Sequence, residues 1–113
     1  MRTALLVVLT LAAGCRGSGV GSIGAVLARD GLSHAVVVRE APKGLGAEQA
    51  GILPGDELVM IDGFLVRDLS AAELRALMRG EVGSKVRLTI VRAGQVRHID
   101  VRRSELVEST RKR

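Results

Sequence analysis

The chain has 113 residues, carries 17 Lys and Arg against 12 Asp and Glu for a net charge of +5, and contains one Phe as its only aromatic residue. That length suits one small domain with one core, and the composition requires the core to be aliphatic. Without Trp or Tyr there is almost nothing on which to stack bases, which argues against a nucleic-acid partner, and the surplus charge is scattered except for Arg111-Lys112-Arg113, as on a solvated surface.

In chain order, Arg2 precedes an apolar run from Ala4 to Ala13 that only Thr10 interrupts. A bilayer-spanning helix needs about 20 apolar residues, so a charged start followed by a short apolar run reads as a secretory signal. Leu11-Ala12-Ala13-Gly14-Cys15 resembles the lipobox of bacterial lipoproteins, although Ala12 stands where that family usually has Leu, Val or Ile. The resemblance implies removal of residues 1–14 and lipidation of Cys15, the only cysteine, which would otherwise be an unpaired thiol in an oxidising compartment. An ordinary signal peptide cut nearby is the alternative. Localisation is expected at the cell envelope, facing the periplasm, and Arg16 in place of a retaining Asp favours the outer membrane over the inner.

Residues 15–21 read as the lipidated cysteine and a flexible glycine-rich tether. Short strands are expected at 24–28 and 35–39, the second rich in β-branched residues. Ala47 to Ala50 reads as one helical turn stopped by Gly51, and Pro54-Gly55 as a turn into a strand over 57–61. Asp62-Gly63 marks another turn, followed by an extended piece over 64–66. Ser70, with Glu73 three residues on, predicts a capped helix whose apolar stripe is Leu74, Leu77 and Met78 and which Gly80 closes. Residues 85–92 alternate with period two, placing Val86, Leu88 and Ile90 inward, and Ala93-Gly94 turns the chain into a last strand over 95–102. Residues 105–113 belong to a charged tail, expected to be frayed from 103 on, so the folded domain is placed at 22–104.

This order resembles the PDZ domains of bacterial envelope proteins, closest to the PDZ module of carboxy-terminal processing proteases. The stretches carrying it are Ala47 to Gly63 with its Pro-Gly-Asp and Asp-Gly turns, Leu69 to Leu74 with Met78-Arg79-Gly80, and Gly83 to Arg92. The resemblance implies an α+β fold, a PDZ-like, partly open β-barrel or sandwich of five to six strands capped by two helices. Ser22-Ile23-Gly24-Ala25 fits the family's loop whose amides receive a peptide's terminal carboxylate. By position, Ile23, Ala25, Leu27 and Met78 would line the pocket for the last side chain, Val26 and Leu27 would supply the strand edge, and Ala71 and Arg75 would face the groove. Gly46 replaces the family's common Pro, and Arg75 replaces an apolar residue.

Ile23, Leu27 and Met78 read equally well as core, Ser22 and Gly24 as an ordinary loop, and Arg75 as a solvated helix charge. No catalytic residue, metal or cofactor is expected, since His34 and His98 are isolated, and Ser104, Ser109 and Lys112 lie in the tail without a peptidase scaffold. The expected function is recognition of protein C-termini or extended peptide segments by strand addition, with membrane attachment through lipid and neither a nucleic acid nor a small-molecule substrate. The alternatives are a structural or secretion-type assembly lipoprotein, or a regulatory subunit of a separate periplasmic protease.

Overall fold

A computed structural model describes residues 20–105, so Cys15, the signal segment and the end of the tail lie outside the described residues. The elements are β1 (Val20–Ser22), β2 (Val26–Arg29), β3 (Val36–Glu40), α1 (Gly46–Gln49), β4 (Glu57–Ile61), β5 (Phe64–Leu65), a 3-10 turn (Val66–Asp68), α2 (Ala71–Met78), β6 (Gly80–Glu81), β7 (Lys85–Arg92), β8 (Gln95–Arg102) and β9 (Ser104–Glu105). The architecture is α+β, with nine strands among the described residues arranged in two sheets rather than a closed barrel.

The larger sheet runs β2-β3-β4-β7-β8, with β5 paired to β4. Its longest ladder joins β7 to β8 from Lys85↔Arg102 to Arg92↔Gln95. The alternation in β7 turns Val86, Leu88 and Ile90 inward to 1%, 1% and 0% exposure, while Lys85 and Arg87 between and beside them stay exposed. With Val36, Val38, Ile52, Leu58, Ile61, Val66 and Val101 they form an aliphatic core. Phe64, the one aromatic side chain, is half exposed and takes no part in it.

The turns follow their residues. Asp62 and Gly63 have φ of 48° and 88°, and Ala93 and Gly94 have 51° and 78°, the pairs of positive values that match the right-handed twist of hairpin strands. Asp56, in the turn after Pro54-Gly55, is buried and receives two bonds of 2.8 Å from the Arg92 guanidinium and one of 2.8 Å from the Leu53 amide. The turn is thereby fastened to the end of β7.

The ends of the domain differ from expectation. Val20 and Gly21, read as tether, begin β1, which pairs with β6 on one side and β9 on the other. Glu105, read as tail, closes β9, and Arg103 is bonded into the fold. Strands of two or three residues are too short to show a period, so this small sheet left no pattern in the sequence. Within the domain, β2 starts at Val26 instead of Gly24, Val66 starts a 3-10 turn instead of ending an extended piece, and the bounds of β3 and α1 shift by one residue.

Candidate functional site

β2 ends the path of the larger sheet, so one of its edges bonds to β3 and the other has no strand beside it among the described residues. Across from that free edge lies α2. Ser70 accepts a bond of 3.0 Å from the Glu73 amide while the Glu73 carboxylate accepts one of 2.8 Å from the Ser70 amide, which starts the helix at a fixed residue. An arginine then ties each end of α2 to the body. At the start, Arg29 from the end of β2 donates to the Leu69 carbonyl at 2.7 Å and to the Val66 carbonyl at 3.0 Å. At the finish, Arg103 donates to the Met78 and Leu77 carbonyls, both at 2.9 Å, and to Ser84 Oγ at 2.9 Å. A cation on the last carbonyls of a helix satisfies acceptors that the helix leaves open and complements its dipole.

Between β2 and α2 runs a cleft of about 460 Å³. Ser22, Ile23, Ala25 and Leu27 form one wall, and Ala71, Leu74, Arg75 and Met78 the other. The structure thus brings together every predicted groove and loop residue except Val26 and Gly24. Ile23 and Met78 are nearly fully buried and belong to the core as well as to the cleft floor, so both readings of them apply. Leu27 is half-buried against that core.

Of the two residues read as the strand edge, Leu27 lines the cleft and Val26 does not. Alternation along β2 sends its side chain to the opposite face, 48% exposed, beside Pro42 and Leu45. Only its backbone remains on the free edge. Glycine at position 24 is required by the packing behind the loop. Its φ is +73°, and a Cβ there would lie 2.5 Å from Leu45 Cβ, so a side chain would strike Leu45 and not obstruct the cleft. The loop is held from behind, since the Ile23 carbonyl accepts a bond of 2.7 Å from the Ala47 amide. No acceptor among the described residues takes the amides of Ile23, Gly24 or Ala25, and Ile23 and Ala25 line the cleft together with Met78.

Arg29 and Arg79 line the cleft too and were not singled out from sequence. Their signals were present: Arg29 follows Ala25 and Leu27 at period two, and Arg79 follows Arg75 by one helical turn. For Arg103 no local pattern existed, because its partners are set by the meeting of β8, β9 and α2.

A sheet edge facing a helix across a cleft, with unpartnered amides in the loop beside it, defines a module built to accept an extended segment as an additional strand. Residues 36–92 match the model of the PDZ domain. The chain belongs to the PDZ domain family. It is 44% identical over 59 residues to carboxy-terminal processing protease CtpA of Bacillus subtilis (strain 168), covering 52% of this chain and 12% of that protein. Against the chloroplastic carboxyl-terminal-processing peptidase 2 of Arabidopsis thaliana it is 35% identical over 100 residues, covering 86% of this chain and 19% of the peptidase. The chain therefore spans less than a fifth of either relative. Among solved structures, a photosystem II D1 C-terminal processing protease superposes with a TM-score of 0.71 at 29% identity over 87% of this chain and 26% of its own. The PDZ domain of the carboxy-terminal protease from Vibrio cholerae, in complex with peptide, gives 0.66 at 21% identity over 79% of this chain and 98% of its own, a likeness of fold.

Proposed function

We propose that this chain is a non-catalytic peptide-binding module of the bacterial cell envelope that takes up protein C-termini as an added strand along β2. The observation that carries the reading is the free β2 edge facing α2, with the amides of Ile23, Gly24 and Ala25 unpartnered among the described residues in the loop that leads into β2. Those donors suit a terminal carboxylate. Ile23, Ala25, Leu27 and Met78 suit an aliphatic last side chain, and Ala71, which carries no polar atom, gives no reason for a Ser or Thr further up. The peptide bound to the Vibrio cholerae PDZ domain supports the same use of the fold. Fluorescence anisotropy with labelled peptides ending in Val or Leu tests this. Binding that is lost on C-terminal amidation is expected, and equal binding of free and amidated peptides would refute carboxylate recognition.

Membrane attachment is the second part of the reading. It rests on the lipobox-like Leu11 to Cys15, and the Cys15→Ser variant is expected to move from the membrane to the soluble periplasmic fraction. Unchanged membrane association would overturn the lipid anchor. The relatives' identity as processing proteases favours one further role, delivery of protein tails to a separate peptidase. Such a peptidase should cut a tailed substrate faster with the chain present, and equal rates would remove that role.

A further inference from the structure

The cleft carries three cations and no carboxylate. Arg29, Arg75 and Arg79 all line it, and no Asp or Glu does. The two ion pairs among the described residues are Arg87 with Asp100 and Arg92 with Asp56, both elsewhere. Of the acids near the cleft arginines in sequence, Asp30 accepts the amides of Leu32 and Ser33, Glu73 accepts the amide of its own cap residue, and Glu81 lies outside the cleft lining. The three guanidiniums differ in availability. Arg29 uses its terminal nitrogens on the carbonyls of Leu69 and Val66 and acts only as a fixed charge, whereas Arg75 and Arg79 are exposed and their side chains have no hydrogen-bond acceptor among the described residues.

The spacing assigns a position to the missing negative charge. With the last side chain seated against Met78 and the peptide antiparallel to β2, the residue two places earlier lies about 7 Å up the strand. Four residues of helix advance about 6 Å, and helical side chains lean toward the N-terminus. The side chain two before the terminus therefore faces the stretch of α2 between Arg75 and Ala71, both of which line the cleft. Ala71 leaves room there and Arg75 supplies the charge.

We infer that the cleft selects C-terminal peptides with Asp or Glu at the third position from the end, and that Arg75 is the residue that reads it. This rests on the reading of the cleft as a C-terminal peptide site. Exposed pairs of this kind are modest and are screened by salt, so the preference is about three- to fivefold at low ionic strength. The test uses the full chain in mild detergent and Val-terminated peptides that differ only at the third-from-last residue, Glu, Gln or Lys. Wild type should bind the Glu peptide about three- to fivefold more tightly than the Gln peptide, and the ratio should shrink in 0.5 M salt. Arg75→Gln should bring the ratio to about one, Arg75→Glu should bind the Lys peptide more tightly than the Glu peptide, and Arg67→Gln, outside the cleft, should leave the wild-type ratio. Far-UV circular dichroism of each variant checks its fold. Equal Glu and Gln affinities in wild type, with amidation still abolishing binding, overturn this inference and spare the C-terminal site. Failure of every free-carboxylate peptide to bind overturns both.

Discussion

Asp56→Asn keeps the size of the side chain and an oxygen for the Leu53 amide, yet it turns an amide NH₂ toward the Arg92 guanidinium. The carboxylate it replaces is 2% exposed in its side chain, accepts 2.8 Å bonds from Arg92 Nε and Nη2, and its partner is 26% exposed. Hydrogen bonds to charged groups are worth about 1.5–3 kcal/mol each in net stability, and removing one member of a buried pair costs about 3–5 kcal/mol. Because water reaches part of Arg92, and Arg92 keeps its bond to the Gly51 carbonyl, the lower end applies, about 3 kcal/mol. At about 4–8 °C per kcal/mol for a domain of this size, the melting temperature should fall by roughly 12–24 °C. The pH dependence has a definite sign. The bonds from Arg92, and after them that from the Leu53 amide, hold the Asp56 carboxyl below its usual value despite its burial. The stabilisation is thus complete above the unfolded-state pKa of about 3.9 and is lost as pH falls through the lower folded-state value. Urea denaturation at pH 7 and at steps below pH 4 should show wild type losing stability toward acid and the Asn variant, already destabilised, losing less. Equal stability at pH 7, or the same acid loss in both, would refute the reasoning.

Two further outcomes follow from the architecture. Arg103→Met keeps the aliphatic stem but removes the donors to Leu77, Met78 and Ser84, and should cost about 2 kcal/mol in urea denaturation. It should also speed hydrogen exchange in the last turn of α2 and weaken peptide binding, whereas a stability loss without faster exchange there would show that the helix end is held by other means. Gly46→Pro restores the residue common among PDZ domains and should nevertheless destabilise this one. The Gly46 amide donates to Ser104 Oγ at 3.0 Å, and a Cβ at this position would lie 2.0 Å from the Arg102 carbonyl oxygen. Overpacking against backbone costs about 1–3 kcal/mol or more, so an unchanged or higher melting temperature would contradict that close approach.

Much of the fold was legible because its signals are local. β4, β7 and β8 lie where turn residues and period-two alternation put them, and the box formed by Ser70 and Glu73 starts α2 at Ala71. The family resemblance extended that reading to the cleft, where Ser22, Ile23, Ala25, Leu27, Ala71, Arg75 and Met78 meet. Val26 shares the free edge through its backbone only, because period-two alternation turns its side chain away from the face that Ala25 and Leu27 present to the cleft.

By itself the sequence determined the aliphatic core, the turns and the capped helix, since each follows from side-chain periodicity or from backbone torsions that only certain residues accept, while the class of module came from the resemblance of its motifs to those of PDZ domains. Tertiary structure alone decided the three-stranded sheet, the arginine at each end of α2, the packing of Gly24 against Leu45 and the absence of acids from the cleft. The partners of Arg29 and Arg103 lie 37 to 40 and 19 to 26 residues away. A bond over such a separation depends on the path of the whole chain, and it leaves no pattern in the residues beside it.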